Sequence, residues 1–287
     1  MQPESATWYM GPAGNLRALQ TPQGGMDFSE VRYGGVFQGL SGARTMDVTG
    51  HRSAVNMEWT YMTKSDWDFL NACHTRQLPG PHYLINPLSK NRLSVQAARG
   101  DYVRNTGTGT GIGVWTESAV PVWQNNVFPA NVLGSRSSRV AVYLFPTAIN
   151  FMFDRGVRTP ILPLEQVTGS VYLKADGATT GFLTFRNYDV NGNALATTVG
   201  STINLTTSWQ RFSITQTAPV GSVAVTFEYV INNDSQAHNM AAPQVESGAV
   251  ATAWELGGGS LRVLVDQLTT TSPRYPLQDA SLALLEA

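Results

Sequence analysis

Phe182-Leu183-Thr184-Phe185-Arg186-Asn187-Tyr188 decides the fold class. The run is short and aromatic-rich. Asp189-Val190 and then Asn191-Gly192 follow it, and Asn-Gly is the strongest short signal for a tight hairpin turn. Working outward, the same kind of run recurs at Val140-Ala141-Val142-Tyr143-Leu144-Phe145, Gly169-Ser170-Val171-Tyr172-Leu173-Lys174, Trp209-Gln210-Arg211-Phe212-Ser213-Ile214-Thr215 and Ser222–Val230. Short strands at this spacing, with no helical periodicity between them, predict a β-sandwich. Trp209 begins an amphipathic strand and reads as a structural residue.

Two glycine-rich stretches bound this region. Thr106-Gly107-Thr108-Gly109-Thr110-Gly111-Ile112-Gly113 has the composition of a flexible linker, and Gly257-Gly258-Gly259 reads as a second hinge. Upstream, Phe28–Tyr33 and Val36–Leu40 are short strand candidates. Ala54–Tyr61 alternates strictly, with Val55, Met57, Trp59 and Tyr61 on one face. One helix follows. Ser65 is its expected N-cap, Asp66 and Asp68 fill the first turn, and Trp67, Leu70 and Cys73 form the apolar stripe. Leu78-Pro79-Gly80-Pro81 stops it, and His82–Pro87 is a strand. After the second hinge, Leu261–Val265 and Ala280–Leu285 are again extended. Thirty terminal residues are too few for a domain. They are expected to complete the incomplete N-terminal unit, giving an outer domain of 1–98 plus 258–287 with a sandwich inserted at 99–257. Insertion at an exposed loop is cheap, because closure entropy grows slowly with length.

Composition excludes several functions. Only 14% of the 287 residues are charged, against about 25% in an average soluble domain. The formal net charge is -1, which argues against a nucleic-acid binder and against a polybasic membrane-surface protein. No apolar run is long enough to span a bilayer. Met1–Ser5 has no basic region and precedes no apolar run, so no secretory signal is expected. A single cysteine, Cys73, excludes an intrachain disulfide framework and a multi-cysteine metal site. Low charge with seven Trp, ten Tyr, eleven Phe and eight Met suits a surface covered by partners. An ordinary all-β protein with a quiet surface fits the same numbers.

Catalytic and cofactor motifs are lacking. The glycine run matches neither a dinucleotide fingerprint nor a phosphate-binding loop. Asp189-Val190-Asn191-Gly192-Asn193 opens like a calcium loop, but Ala194 and Gly200 stand where glycine and glutamate are needed. The histidines His51, His74, His82 and His238 are scattered. Cys73 and His74 are adjacent on a helix and point apart, a poor nucleophile–base geometry. Asp154, Glu165 and Glu228 are the carboxylates that a glycosidase pair would draw on, and spacing alone does not bring them together. No catalytic residue, metal ligand or cofactor is assigned, and the expectation is a non-enzyme. Aromatic rings beside amides and carboxylates are the chemistry of sugar recognition. The candidates are Trp115, Trp123, Arg186, Asn187 and Tyr188.

The inserted segment resembles the carbohydrate-binding-module-like jelly rolls found on phage tail proteins, through Gly169–Lys174, Tyr188–Asn193, Thr207–Phe212 and the phrase Ala242-Pro243-Gln244-Val245-Glu246-Ser247-Gly248-Ala249-Val250-Ala251-Thr252. In such modules that phrase forms a last strand. The outer unit resembles the belt domain of distal tail proteins of long-tailed phages, through Ser41–Arg44, Pro79–Pro87, Asn91–Ser94 and Tyr275–Glu286. The resemblance implies a mainly β chain: a split belt sandwich or barrel with one α-helix, and an inserted jelly-roll sandwich. It also implies a structural subunit of the virion, a distal or minor tail protein. Such a subunit forms a homo-oligomeric, hexameric ring at the tail tip. Its partners would be the tail tube, tape measure and tail-tip proteins, and its outward module would meet host cell-wall polysaccharide. A free carbohydrate-binding protein and a wall-polysaccharide hydrolase are the alternative functions.

Overall fold

The computed structural model describes residues 7–39, 41–46, 50–100, 115–117, 122–125, 135, 137–141, 149–154, 158–231, 236–274 and 277–287. The chain is mainly β. It divides into two units, 1–84 with 261–287 and 85–260.

The first unit begins with β1 (Trp8–Pro12), β2 (Arg17–Leu19), β3 (Gly25–Tyr33), β4 (Val36–Gln38), β5 (Arg44–Met46) and β6 (Gly50–Thr63). The helix α1 (Lys64–His74) and β7 (His82–Ile85) follow. The second unit carries α2 (Val95–Arg99) and β8 (Trp115–Glu117), β9 (Val122–Asn125), β10 (Ser137–Ala141), β11 (Ile149–Phe153), β12 (Thr159–Pro160), β13 (Gln166–Ala175) and β14 (Thr179–Tyr188). It continues with β15 (Ala194–Val199), β16 (Ile203–Leu205), β17 (Gln210–Thr217), β18 (Ala224–Ile231) and β19 (Ala237–Ser247). The chain returns to the first unit with β20 (Ser260–Arg274) and β21 (Leu277–Glu286).

A seven-stranded sheet, in the order β2-β1-β7-β20-β21-β6-β3, organises the first unit. The last strand lies between its own hairpin partner and β6, so Leu282 and Leu284 oppose Met57 and Val55. All four are buried, with Trp59, Met62, Leu70 and Leu84. The helix starts two residues earlier than its sequence suggests. Thr63, not Ser65, is the N-cap, and its hydroxyl accepts from the Asp66 amide at 3.3 Å. The buried stripe is accordingly Phe69, Leu70 and Cys73, with Trp67 only half-buried.

The second unit is a jelly-roll sandwich of two antiparallel sheets. Sheet I runs β17-β13-β19-β10-β9 and sheet II runs β15-β14-β18-β11-β8. From β16 to β19 successive strands pass from one sheet to the other. Phe151, Phe153, Phe185, Phe227 and Tyr229 of sheet II meet Val167, Val171, Leu173, Met240 and Val245 of sheet I. Gly169 is small because these rings leave it no room: a Cβ there would lie 2.7 Å from Phe227 and 2.8 Å from Phe185. Gly169→Ala is expected to overpack the core and cost about 1–3 kcal/mol, read as a lower urea midpoint with an unchanged slope.

Three features differ from the sequence reading. Residues 85–98 belong with the second unit, since Leu93 and Ala97 are buried in the sandwich core. A second helix, α2, is present. It is capped by the Ser94 hydroxyl on the Ala97 amide and closed by Gly100 in the left-handed region. Gly257–Gly259 is a close-packed crossing and not a hinge. A Cβ on Gly257 would strike the Leu93 and Ser94 carbonyls, and one on Gly259 would lie 2.8 Å from the Asn91 carbonyl. The glycine run 107–113, the N-terminal 1–5 and strand residues 142–145 lie outside the described residues.

Candidate functional site

Strand alternation sorts sheet I into an inner and an outer face. Val171 and Leu173 of β13 point into the sandwich, which leaves Tyr172 and Lys174 outside. Phe212 and Ile214 of β17 pack inward, so Arg211 takes the outer face. Cross-strand register then sets two rows. Tyr172 lies between Arg211 and Ala241, while Lys174 lies opposite Asn239, in register with Arg139 and Gln124 beyond it. Trp209, just before β17, sits at the end of the second row; the Lys174 Nζ is 5.3 Å from its ring centroid. The Arg211 guanidinium carbon is 5.7 Å from the Tyr172 ring.

A β-bulge makes the floor. The register between β13 and β19 shifts between Ser170 and Tyr172, and Ala242 adopts a positive φ of 52°. Its amide donates to the buried Ser135 hydroxyl at 2.9 Å. The extra residue leaves Ala241 and Ala242 side by side, both fully buried beneath half-buried Tyr172, Trp209 and Trp254. A bulge of this kind re-aims side chains locally, and here it puts two methyl groups under three aromatic rings.

The chain after β19 folds back over the lower rows of the same face. The Thr168 hydroxyl donates to the Gly248 carbonyl at 2.7 Å. Buried Glu246 accepts from the Thr252 amide at 2.9 Å, its hydroxyl at 2.6 Å and the Gln244 amide at 2.7 Å. Arg211 donates to Ser170 Oγ at 2.8 Å and to the Thr252 carbonyl. This return segment carries Trp254 into place, and its indole N–H donates to the Pro243 carbonyl at 3.3 Å. In the upper row Lys174 and Trp209 are half-buried and Asn239 is buried. The result is a shelf: an alanine floor, three aromatic side chains, and a rim of Lys174, Arg211 and exposed Asp176, whose carboxylate accepts from buried Asn239 at 3.4 Å. Such a surface stacks flat apolar faces on its rings and offers donors and an acceptor to hydroxyls around them.

The five candidates from the sequence are not brought together. Trp115 is the ladder partner of Phe153 in sheet II, whereas Trp123 is the partner of Val140 in sheet I, in the row of buried His238. Arg186, Asn187 and Tyr188 are consecutive on β14 and therefore cannot share a face. Asn187 is fully buried and exchanges amide hydrogen bonds with Gln216 at 3.1 and 2.9 Å. Tyr188 is buried beneath the Arg158 guanidinium, 3.8 Å from its ring centroid. Arg186 forms an ion pair with Glu228 at 2.9 Å on the outer side of sheet II. The shelf residues Tyr172, Lys174, Arg211 and Trp254 were not candidates in the sequence, and Trp209 read as structural. The signal that marks them is alternation: a polar or aromatic residue out of phase with the core run Val171/Leu173 or Phe212/Ile214.

The three carboxylates are separately committed. Glu165 is bidentate to Arg92 at 2.7 and 2.8 Å. Burial pushes its carboxyl up, but the Arg92 charge and hydrogen bonds hold it below its ordinary value. Asp154 accepts from the Ser94 amide at 2.7 Å, and burial pushes it up to about 6. Glu228 is raised by burial, against the opposing charge of Arg186. The calcium-like stretch is a hairpin turn in which the Asp189 carboxylate accepts from the Asn193 and Asn191 amides at 2.8 and 2.9 Å. No cluster of metal-binding side chains occurs among the described residues, and no helix among them is long and apolar enough to cross a membrane.

No family model matches the chain, and no curated protein matches it. Among solved structures, it is similar to the tailspike protein 4 enzymatically active domain of bacteriophage CBA120, at 15% identity over 55% of this chain and 21% of that one, with a TM-score of 0.41. The chain thus spans about a fifth of that domain's length. The CBM22-1 xylan-binding domain of Paenibacillus barcinonensis Xyn10C is 16% identical over 57% of this chain and 96% of that one, with a TM-score of 0.38. The C-terminal family 22 carbohydrate-binding module of Clostridium thermocellum Xyn10B is 13% identical over 50% and 91%, with a TM-score of 0.37.

Proposed function

We propose that the protein binds glycans on the Tyr172–Trp209–Trp254 shelf, as a non-catalytic structural subunit of a bacteriophage tail. The observation that carries the glycan reading is the set of three half-buried aromatic rings over Ala241 and Ala242, with hydrogen-bonding side chains at their edge. Rings held this way lose little entropy on binding.

The tail reading places the chain in the virion as a distal or minor tail protein, in a homo-oligomeric ring with the tail tube and tip proteins as neighbours. It is supported by the motif resemblance of the outer unit and by the edge of its sheet. β3 is an edge strand nine residues long, and Phe28, Val31 and Tyr33 along it are exposed. The neighbouring β4–β5 hairpin exposes Val36, Phe37 (62%) and Met46. A long apolar edge invites strand pairing or burial against another chain.

Two measurements test the reading. Affinity electrophoresis of the full chain against host-wall polysaccharide is expected to show retardation. Trp209→Ala should weaken it at least about tenfold, or ~1.4 kcal/mol. Silence against every wall glycan would defeat the binding half. Light scattering or negative-stain imaging is expected to show a ring. A strict monomer that never joins tail components would instead favour a free-standing carbohydrate-binding protein.

A further inference from the structure

We infer that the shelf takes an acidic saccharide, one carrying a carboxylate or phosphodiester group, rather than a neutral sugar. The inference rests on the glycan reading above and narrows its ligand.

The charge at the shelf is the reason. Lys174 stands between Trp209 and Asn239, and Arg211 stands beside Tyr172. Both are half-buried, and among the described residues neither is ion-paired with a carboxylate. Arg211 spends its two terminal nitrogens on neutral oxygens, Ser170 Oγ and the Thr252 carbonyl, so its charge is not cancelled. Its Nε is buried without a hydrogen-bond partner. The nearby acids among the described residues offset these cations only in part. Among the described residues, Glu246 is buried beneath the return segment and satisfied by Thr252 and Gln244, half-buried Glu255 beside Trp254 accepts from the Lys90 amide, and Asp176 is exposed and tied to Asn239.

A chain with a formal net charge of -1 does not attract polyanions through its overall field. Positive charge placed at an aromatic shelf therefore gives local selection. Because the Lys174 ammonium lies over the Trp209 ring, a saccharide that reaches this ring meets the cation with it, and an acidic substituent there gains a charge-assisted hydrogen bond about twice as strong as a neutral one.

The experiment is affinity electrophoresis of the full chain through gels containing polygalacturonate, its fully methyl-esterified neutral form, or poly(glycerol phosphate). Retardation is expected in at least one acidic polymer and not in the ester; which acid retards identifies carboxylate or phosphodiester. Lys174→Met should weaken the acidic interaction about tenfold, whereas Lys174→Arg, which keeps the charge, should retain it. Trp209→Ala should weaken it as well. If the neutral ester retards the chain as strongly as the acid, and Lys174→Met changes nothing, the acidic preference is wrong while glycan binding stands. If an acidic polymer retards the parent and Trp209→Ala equally, the attraction is bulk charge and the inference falls. If no polymer, acidic or neutral, shifts the chain and host-wall polysaccharide is also silent, the glycan reading falls first.

Discussion

Arg92→Ala is expected to lower the unfolding free energy of the second unit by about 3–5 kcal/mol. The Arg92 guanidinium grips both oxygens of Glu165, and each side chain is only 8% exposed. Removing the cation leaves a carboxylate buried without its counter-charge. The Leu162 amide still donates to it at 2.8 Å, which is not enough to hold a charge out of water. Position matters as well. Arg92 follows Asn91, whose amide donates to the Pro243 and Glu255 carbonyls and whose oxygen accepts from the Leu93 and Val245 amides. The pair therefore pins the entering chain where β19 passes and the exiting chain crosses. Equilibrium urea unfolding, followed by tryptophan fluorescence, gives the number. The double variant Arg92→Met/Glu165→Leu should recover much of the loss, because a buried pair is costly mainly when half of it is missing. A single-variant cost under ~1 kcal/mol, with a double variant that simply adds, would show that the pair is solvated and structurally idle.

The sequence made the strands legible because their alternation is physical: Val171, Leu173 and Ala175 must all turn inward if any of them does. The Asn191-Gly192 turn was equally readable, as Gly192 has a φ of 82°, which glycine adopts without strain. The site was not readable in the same way. Arg186-Asn187-Tyr188 looks like a patch when written as a line, yet a pleated strand sends Asn187 to the opposite face from its neighbours. The shelf is assembled from β13, β19, the approach to β17 and the return segment, and 82 residues separate Tyr172 from Trp254 in the chain. Its floor depends on a bulge at Ala242, a register shift with no local sequence signature. The packing of Gly257 and Gly259 is hidden from the sequence for a related reason. A glycine required for close approach and a glycine required for flexibility are the same letter, and only the Leu93, Ser94 and Asn91 carbonyls beside them distinguish the two.

Asp154→Asn is expected to stabilise the second unit at neutral pH and to flatten its pH dependence. Asp154 is 3% exposed, its carboxylate accepts from the Ser94 amide, and no ion pair among the described residues involves it. Burial is the dominant influence and raises its pKa from 3.8 to about 6. Because the folded pKa lies above the unfolded one, the group's contribution to stability is fully present below pH ~4 and is lost as pH rises through ~6. A shift of about 2 units corresponds to ~3 kcal/mol between those limits. Glu228, raised by burial, acts in the same sense. Glu165, lowered by Arg92, acts in the opposite sense: its contribution is present above its ordinary carboxylate range and is lost as pH falls through its depressed value. Asparagine keeps an acceptor for the Ser94 amide and carries no charge. It also suits the backbone, since Asp154 has a φ of 65°, a region that asparagine tolerates well. Urea unfolding at pH 4.5 and pH 7.5 should therefore show the stability difference between variant and parent growing by about 2 kcal/mol in the variant's favour as pH rises. Parallel curves for the two proteins would mean that Asp154 ionises in the folded chain as it does in the unfolded one, and that water reaches it beside Ser94.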